Sequence, residues 1–201
     1  LQYIYQTLTN SDGADPIDYP AIMANPAEFE LVATDAATGK PVYFTKDDMK
    51  QDDYRAIMAS CALPVMCRPI SFHNETYFDG GLSDSVPIER AFAKGCDRVV
   101  VILSKPRSFV KQPEGFRHIY RHALRKYPQT IKALDNRHLM YRQNIADVKK
   151  QESAGKALVF APSKELKMST YARDEKLEQE LYDLGISDFD ARLNELHTFL
   201  S

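Results

Sequence analysis

The sequence predicts an α/β fold of three layers, with helices on both sides of a mainly parallel sheet. Three observations predict it. "RVVVILS" (Arg98 to Ser104) is an unbroken, largely β-branched run, and a strand apolar on both sides belongs in a sheet covered on both faces. A short strand, "ETYF", then a helix, "VPIERAFAKG", then that run follow one another within about thirty residues, the order of a βαβ unit. "ALVFAP" (Ala157 to Pro162) is one more buried-looking strand.

Taken in order, the chain starts with two turn-rich stretches, "SDGADP" and "NPAE". "EFELVATDAATGKPVYF" reads as two short strands, with "TGKP" as the turn between them. Phe29, Leu31 and Ala33 alternate with Glu28, Glu30 and Val32, a partly amphipathic pattern. In "DDYRAIMASCALP", Tyr54, Ile57, Met58 and Cys61 stand at helical spacing, and Pro64 stops that helix. "VPIERAFAKG" has proline near its first turn and Gly95 at its C-terminal cap. From Pro128 to Gln151, Ile131, Leu134, Tyr141, Ile145 and Val148 form a stripe, and His138 fills its gap. Leu177, Leu181 and Leu184 stripe the next helix, which Gly185 ends. Ser187 and Asp190 open the last helix like a capping box, and Phe189, Leu193, Leu196 and Leu200 stripe it. The turn-rich stretch from Arg107 to Pro113 marks a boundary, dividing the chain into residues 1–106 and a mostly helical 107–201 with one added strand.

The bulk numbers exclude several classes. With 44% hydrophobic residues the chain can build a core without disulfides. Its 26 basic and 28 acidic side chains leave a net charge of −2, not the basic footprint of a nucleic-acid binder. Cys61, Cys67 and Cys96 are odd in number and lack CxxC spacing, so they form neither a zinc site nor a disulfide framework. Free thiols in a reducing compartment are the expectation. No apolar run approaches the ~20 residues of a spanning helix, and no signal peptide is visible. The sequence opens at Leu1 without a methionine, which suggests a start inside a longer protein.

The stretch "YFDGGLSDSVP" (Tyr77 to Pro87) holds the main candidate for chemistry. By itself Asp79 followed by Gly80 is a hairpin-turn signal, because glycine accepts positive φ at no steric cost. On spacing alone the turn reading outweighs catalysis. His73, His118, His122, His138 and His197 are scattered, without HExxH spacing. His138 on an apolar helix face reads as a hydrogen-bonded core histidine. His118 and His122 could share a helix face, but no third ligand is near in sequence, so no metal is expected. Arg107, Lys111, Arg117, Arg121, Arg125 and Lys126 form a basic run, with Phe109, Phe116, Tyr120 and Tyr127 interleaved. It reads as a solvated helix face, with membrane-surface contact the lesser reading. The eight glycines form no GxGxxG, no phosphate loop and no GxSxG.

"VATDAATGKPVYF", "ASCALP" and "YFDGGLSDSVPIERAFAKGCDRVVVIL" occur in this order. Together they resemble the second half of the catalytic domain of the patatin-like phospholipases, over about Glu28 to Ser104. The tail resembles the C-terminal extension of bacterial members. The resemblance implies a three-layer α/β/α fold, with residues 1–106 the C-terminal half of the catalytic domain and 107–201 the extension. It also implies a serine–aspartate dyad without histidine: a serine on a GxSxG elbow attacks the ester carbonyl, and the aspartate of a DG[GA] motif is its base. Asp79 matches that aspartate, and Gly80 and Gly81 would form the active-site turn. Backbone N–H groups would hold the oxyanion, and no cofactor is implied. The sequence has neither GxSxG nor a glycine-rich oxyanion loop, and Ser60 lacks the flanking glycines of an elbow.

The expectation is therefore a fragment that supplies the base and is inactive alone. It would belong to a cytoplasmic enzyme acting on a lipid or other ester, with peripheral membrane contact and no nucleic-acid partner. The alternative is a non-catalytic lipid-binding or protein-interaction module; the missing phosphate loop argues against a nucleotide-binding domain. In either case Val99, Val101, Val159 and Phe160 should be shielded by helices. Asp79 should close a strand, and an apolar surface near Tyr77 to Leu82 should be exposed.

Overall fold

The structure is a computed structural model and describes residues 1–166 and 174–201. In chain order its elements are α1 (Tyr19–Ala24), β1 (Glu30–Asp35), β2 (Pro41–Thr45), α2 (Arg55–Ser60), β3 (Ile70–Phe72), β4 (Glu75–Asp79), α3 (Ile88–Ala93), β5 (Val99–Ile102), α4 (Arg117–Ala123), α5 (Pro128–Ser153), β6 (Ala157–Phe160), α6 (Glu175–Asp190) and α7 (Leu193–Leu200). They form two compact units. The first joins Leu1–Val86 to Gln112–Tyr141, and the second joins Pro87–Lys111 to Arg142–Ser201. The units alternate along the sequence, and position 106/107 lies inside the second.

In the first unit a four-stranded sheet runs β2-β1-β4-β3. Every neighbouring pair is antiparallel, which corrects the expectation of a mainly parallel sheet. The reason is local. β1 and β2 are joined by a tight turn, and a link that short can only return the chain antiparallel. Asp35 closes the turn by accepting the Thr38 N–H at 2.6 Å, and Gly39 supplies φ +69°. β3 and β4 form a second hairpin around His73 and Asn74, at φ +48° and +64°. β4 therefore lies between β1 and β3, and it does not pair with β5 as a βαβ unit would require.

Side chains alternate across a strand, so Tyr77 and Phe78 of β4 enter different clusters. Tyr77 packs with Ala33, Phe44, Phe72 and Ala56. The Phe44 ring meets those of Tyr77 and Phe72 edge-on at 5.0 and 5.4 Å. Phe78 packs with Ala36, Leu82, Tyr120, Leu124 and Leu134. Tyr77, Phe78 and Leu82 are thus buried rather than exposed, because α2 covers Tyr77 while α4 and the start of α5 cover Phe78 and Leu82. The basic run is correspondingly not one solvated face. Tyr120 is core, its hydroxyl donates to Asp135 at 2.5 Å, and Arg117 and Arg121 pair with the same carboxylate. Tyr127 meets Phe78 edge-on at 5.4 Å.

The second unit contains the parallel pair. β5 and β6 run in register from Val99 opposite Ala157 to Ile102 opposite Phe160. β6 is buried throughout and Val101 is buried, while Val99 is half-buried. Val100 and Ile102 are 36% and 80% exposed, so only one face of β5 is shielded. α6 does not stop at Gly185. It runs through Gly185 and Ser187 to Asp190, capped at its start by Asp174, whose carboxylate accepts the Leu177 N–H at 3.1 Å. Gly185 keeps an ordinary helical backbone, and its cost of ~1 kcal/mol relative to alanine is too small to break a helix of this length. The break comes at Ala191 and Arg192, where the Arg192 guanidinium donates to the Val159 carbonyl at 2.6 Å and to Glu195 at 2.7 and 2.8 Å.

Candidate functional site

β4 carries Asp79 to its last position, and the backbone there is tied on both sides. The Asp79 N–H donates to the Ala62 carbonyl at 2.9 Å, and its carbonyl accepts the Thr34 hydroxyl at 2.8 Å. Thr34 is itself buried and lies 2.8 Å from the Ser83 hydroxyl. Beyond the strand the chain tightens into a short 3-10 helix, Gly80–Leu82, and Asp79 caps it: Oδ1 accepts the Gly81 N–H at 2.7 Å. The other carboxylate oxygen accepts no hydrogen bond from the described residues.

Neither glycine of the DGG stretch has positive φ, so the hairpin rationale for Asp-Gly does not apply. Both serve close approach instead. A Cβ on Gly80 would come within 2.2 Å of the Val32 carbonyl oxygen, and one on Gly81 within 2.9 Å of Asp79 Oδ1.

Arg137, from α5, reaches over this turn. Its Nε donates to the Gly81 carbonyl at 2.8 Å and its Nη1 to Glu114 at 3.2 Å. The Ser85 hydroxyl donates to the same Gly81 carbonyl at 2.9 Å. Burial pushes the Asp79 carboxyl above its ordinary pKa, while the Gly81 N–H and the Arg137 charge pull it down without cancelling that rise. A carboxylate so placed is a stronger base than a solvated one.

Cys61 follows the end of α2, with its sulfur 4.0 Å from the Tyr5 hydroxyl. Burial raises its pKa; the Tyr5 hydrogen bond opposes the rise and the Asp79 charge adds to it. The thiol is therefore not poised as a thiolate nucleophile. Cys61, Cys67 and Cys96 are free. Ser60 lies in the last turn of α2, not at a strand-to-helix turn.

The histidines do not gather around Asp79. His73 sits in the β3–β4 turn, stacked on Phe72 with centroids 3.8 Å apart. His118 and His122 are exposed on α4, and His197 on α7. His138 is half-buried, and among the described residues its Nδ1 has no hydrogen-bond partner, which departs from the expectation of a hydrogen-bonded core histidine. Among the described residues no group of three or more His, Cys, Asp or Glu could hold a metal ion, and no helix is long and apolar enough to cross a membrane.

Residues 7–92 match the patatin-like phospholipase family. The patatin-like stretch contains β1 to β4, Asp79, Gly80 and Gly81, and it supports a lipid-hydrolase family resemblance. Residues 127–201 match a domain of unknown function (DUF6363). The chain is 29% identical over 110 residues to the uncharacterized protein YjjU of Escherichia coli (strain K12). That alignment spans 48% of this chain but 30% of the relative. Arg137 and Thr34 complete the surroundings of Asp79. Sequence reasoning misses both, because Arg137 stands beside the residue that fills the α5 stripe and Thr34 sits in a strand of mixed alternation.

Proposed function

We propose that the chain is part of a patatin-like serine acyl hydrolase, with Asp79 as its general base. One observation carries this reading. Within the patatin-like stretch, a carboxylate of raised basicity ends a strand with one oxygen tied to Gly81 and the other without a hydrogen bond from the described residues. A serine hydroxyl is a weak nucleophile until a base takes its proton. Asp79 would accept that proton while the serine oxygen bonds to the ester carbonyl carbon. Collapse of the tetrahedral intermediate breaks the bond to the alcohol oxygen, which leaves with the proton held by Asp79, and an acyl-enzyme remains. Asp79 then takes a proton from water as the water oxygen bonds to the acyl carbon; collapse breaks the serine ester, releases the acid and returns the proton to the serine oxygen. The serine and the oxyanion donors would come from outside these 201 residues, since the sequence contains no GxSxG.

Gly80 and Gly81 hold the turn tight enough for Asp79 to cap it, and Arg137 positions that turn through the Gly81 carbonyl. The two clusters on opposite sides of β4 support a three-layer α/β/α arrangement. The substrate is a lipid or other carboxylic ester, met by a cytoplasmic protein in peripheral contact with a membrane.

The test is Asp79→Asn in the protein that carries the serine, assayed on a p-nitrophenyl ester. Turnover should fall by at least ~10²-fold with folding intact. Unchanged turnover would return Asp79 to the role of a turn residue; no turnover by the unmutated protein would favour a non-catalytic lipid-binding or interaction module. The 201-residue chain alone should neither turn over the ester nor react with a fluorophosphonate probe; labelling of a serine in it would overturn the fragment reading.

A further inference from the structure

We propose that the second unit binds one single-chain amphiphile whose head group is not anionic and donates a hydrogen bond, such as a long-chain alcohol or a monoacylglycerol, in a cavity at the ends of β5 and β6. This site does not depend on the role given to Asp79. Its place in the fold is the first argument. Both parallel strands end here, at Ile102 and Phe160, and the residues that follow them, Ser104 and Ala161 among them, line the space. Open parallel sheets take their ligands in the crevice outside the carboxyl ends of their strands.

The cavity measures about 360 Å³, within the range of small-ligand sites. α6 forms its other wall through Leu181, Leu184 and Phe189. Asp188 is the one charged residue among the described lining residues. Its Oδ2 accepts the Ser163 N–H at 2.8 Å, and a carboxylate has lone pairs for further donors. A ligand hydroxyl can donate to it, whereas a carboxylate or phosphate head group would meet like charge in an apolar surround. The wall therefore selects against an anionic head group and for an apolar chain that ends in a hydrogen-bond donor.

Gly185 is the second, independent argument. It lies inside α6, has no positive φ, and lines the cavity. A Cβ built on it meets no atom within 4 Å. Neither crowding nor backbone conformation thus requires glycine, and glycine is the poorest helix former after proline. What its missing side chain does is leave the cavity open.

The test uses the purified full chain and the neutral fluorophore N-phenyl-1-naphthylamine. Its emission should rise saturably on binding. At neutral pH and below its aggregation concentration, decanol should displace it. Decanoate should compete at least ~10-fold more weakly, because its charge faces Asp188. Asp188→Asn should shrink that difference to under ~3-fold. Gly185→Leu should abolish the emission rise while increasing the thermal midpoint, since leucine favours the helix. Loss of binding in a more stable protein cannot be ascribed to unfolding. No saturable emission, equal competition by decanoate and decanol, unchanged discrimination in Asp188→Asn, or full binding by Gly185→Leu would each overturn the proposal.

Discussion

β4 and β5 are both short strands with apolar residues at their centres, yet they have opposite fates. In β4 both faces are packed, Tyr77 into one cluster and Phe78 into the other, and Phe78 is 0% exposed. In β5 burial alternates, and Ile102 at its end is 80% exposed. The apolar content of the two runs does not account for this, since β5 is the more uniformly hydrophobic. The difference lies in what the rest of the chain brings. β4 receives α2 on one side and α4 with the start of α5 on the other, while β5 pairs with β6 and keeps one face open. An apolar run states what a strand can bury, and distant segments decide how much of it is buried.

Four substitutions can break or sharpen this contrast. Phe78→Ala should cost the most, about 3–5 kcal/mol, as expected for a large ring removed from a fully packed site. Urea unfolding followed by circular dichroism measures it, and a loss under ~1 kcal/mol would mean that the second cluster does not hold the unit together. Gly80→Ala should cost about 1–3 kcal/mol, because the new methyl group meets the Val32 carbonyl in a strand already paired on both sides. The same titration reads it, and a neutral outcome would show that the β1–β4 contact can relax.

Asp79→Asn should act in the opposite direction. Burial raises the Asp79 pKa in the folded chain above its unfolded value. The folded state then holds the proton to higher pH, so stability falls as pH rises through the window between the two values and stays lower above it. Asparagine carries no such cost. At neutral pH the variant should be more stable by about 0.5–2 kcal/mol, and the gap should close on acidification below the ordinary aspartate pKa. Paired urea titrations at acid and neutral pH would reveal it; a gap independent of pH would mean that the charge is not what the fold resists. Ile102→Ser should move stability by less than ~0.5 kcal/mol. A larger loss in thermal unfolding would mean that the open face of β5 is covered in solution.

The contrast also separates what was legible in the sequence from what was not. The β1–β2 hairpin was legible, because Gly39 in "TGKP" marks its turn. The long α5 was legible from the stripe that starts at Ile131. β3 was not, because its hairpin turns on His73 and Asn74, without the glycine that usually signals such a turn. The direction of the main sheet was misjudged for the same reason: one apolar run, β5, stood for the whole sheet, and it pairs elsewhere. At the candidate site Asp79 stood out by its motif. Arg137 did not, since its contact with Gly81 spans 56 positions of chain and no local pattern encodes it. Gly80 and Gly81 drew notice, but for a backbone freedom they do not use; their need is for space beside Val32 and Asp79.

The interleaving of the two units has a consequence for the order in which the protein is made. Phe78 and Leu82 emerge from the ribosome well before Tyr120, Leu124 and Leu134, the residues that bury them. At bacterial and eukaryotic synthesis rates of about 5–20 residues per second, the interval from Phe78 to Leu134 lasts roughly 3–11 s. Throughout that interval one face of a finished β4 strand waits uncovered in the growing chain. Nascent-chain chaperones therefore have a target at Phe78 and Leu82, two residues that are buried once synthesis ends.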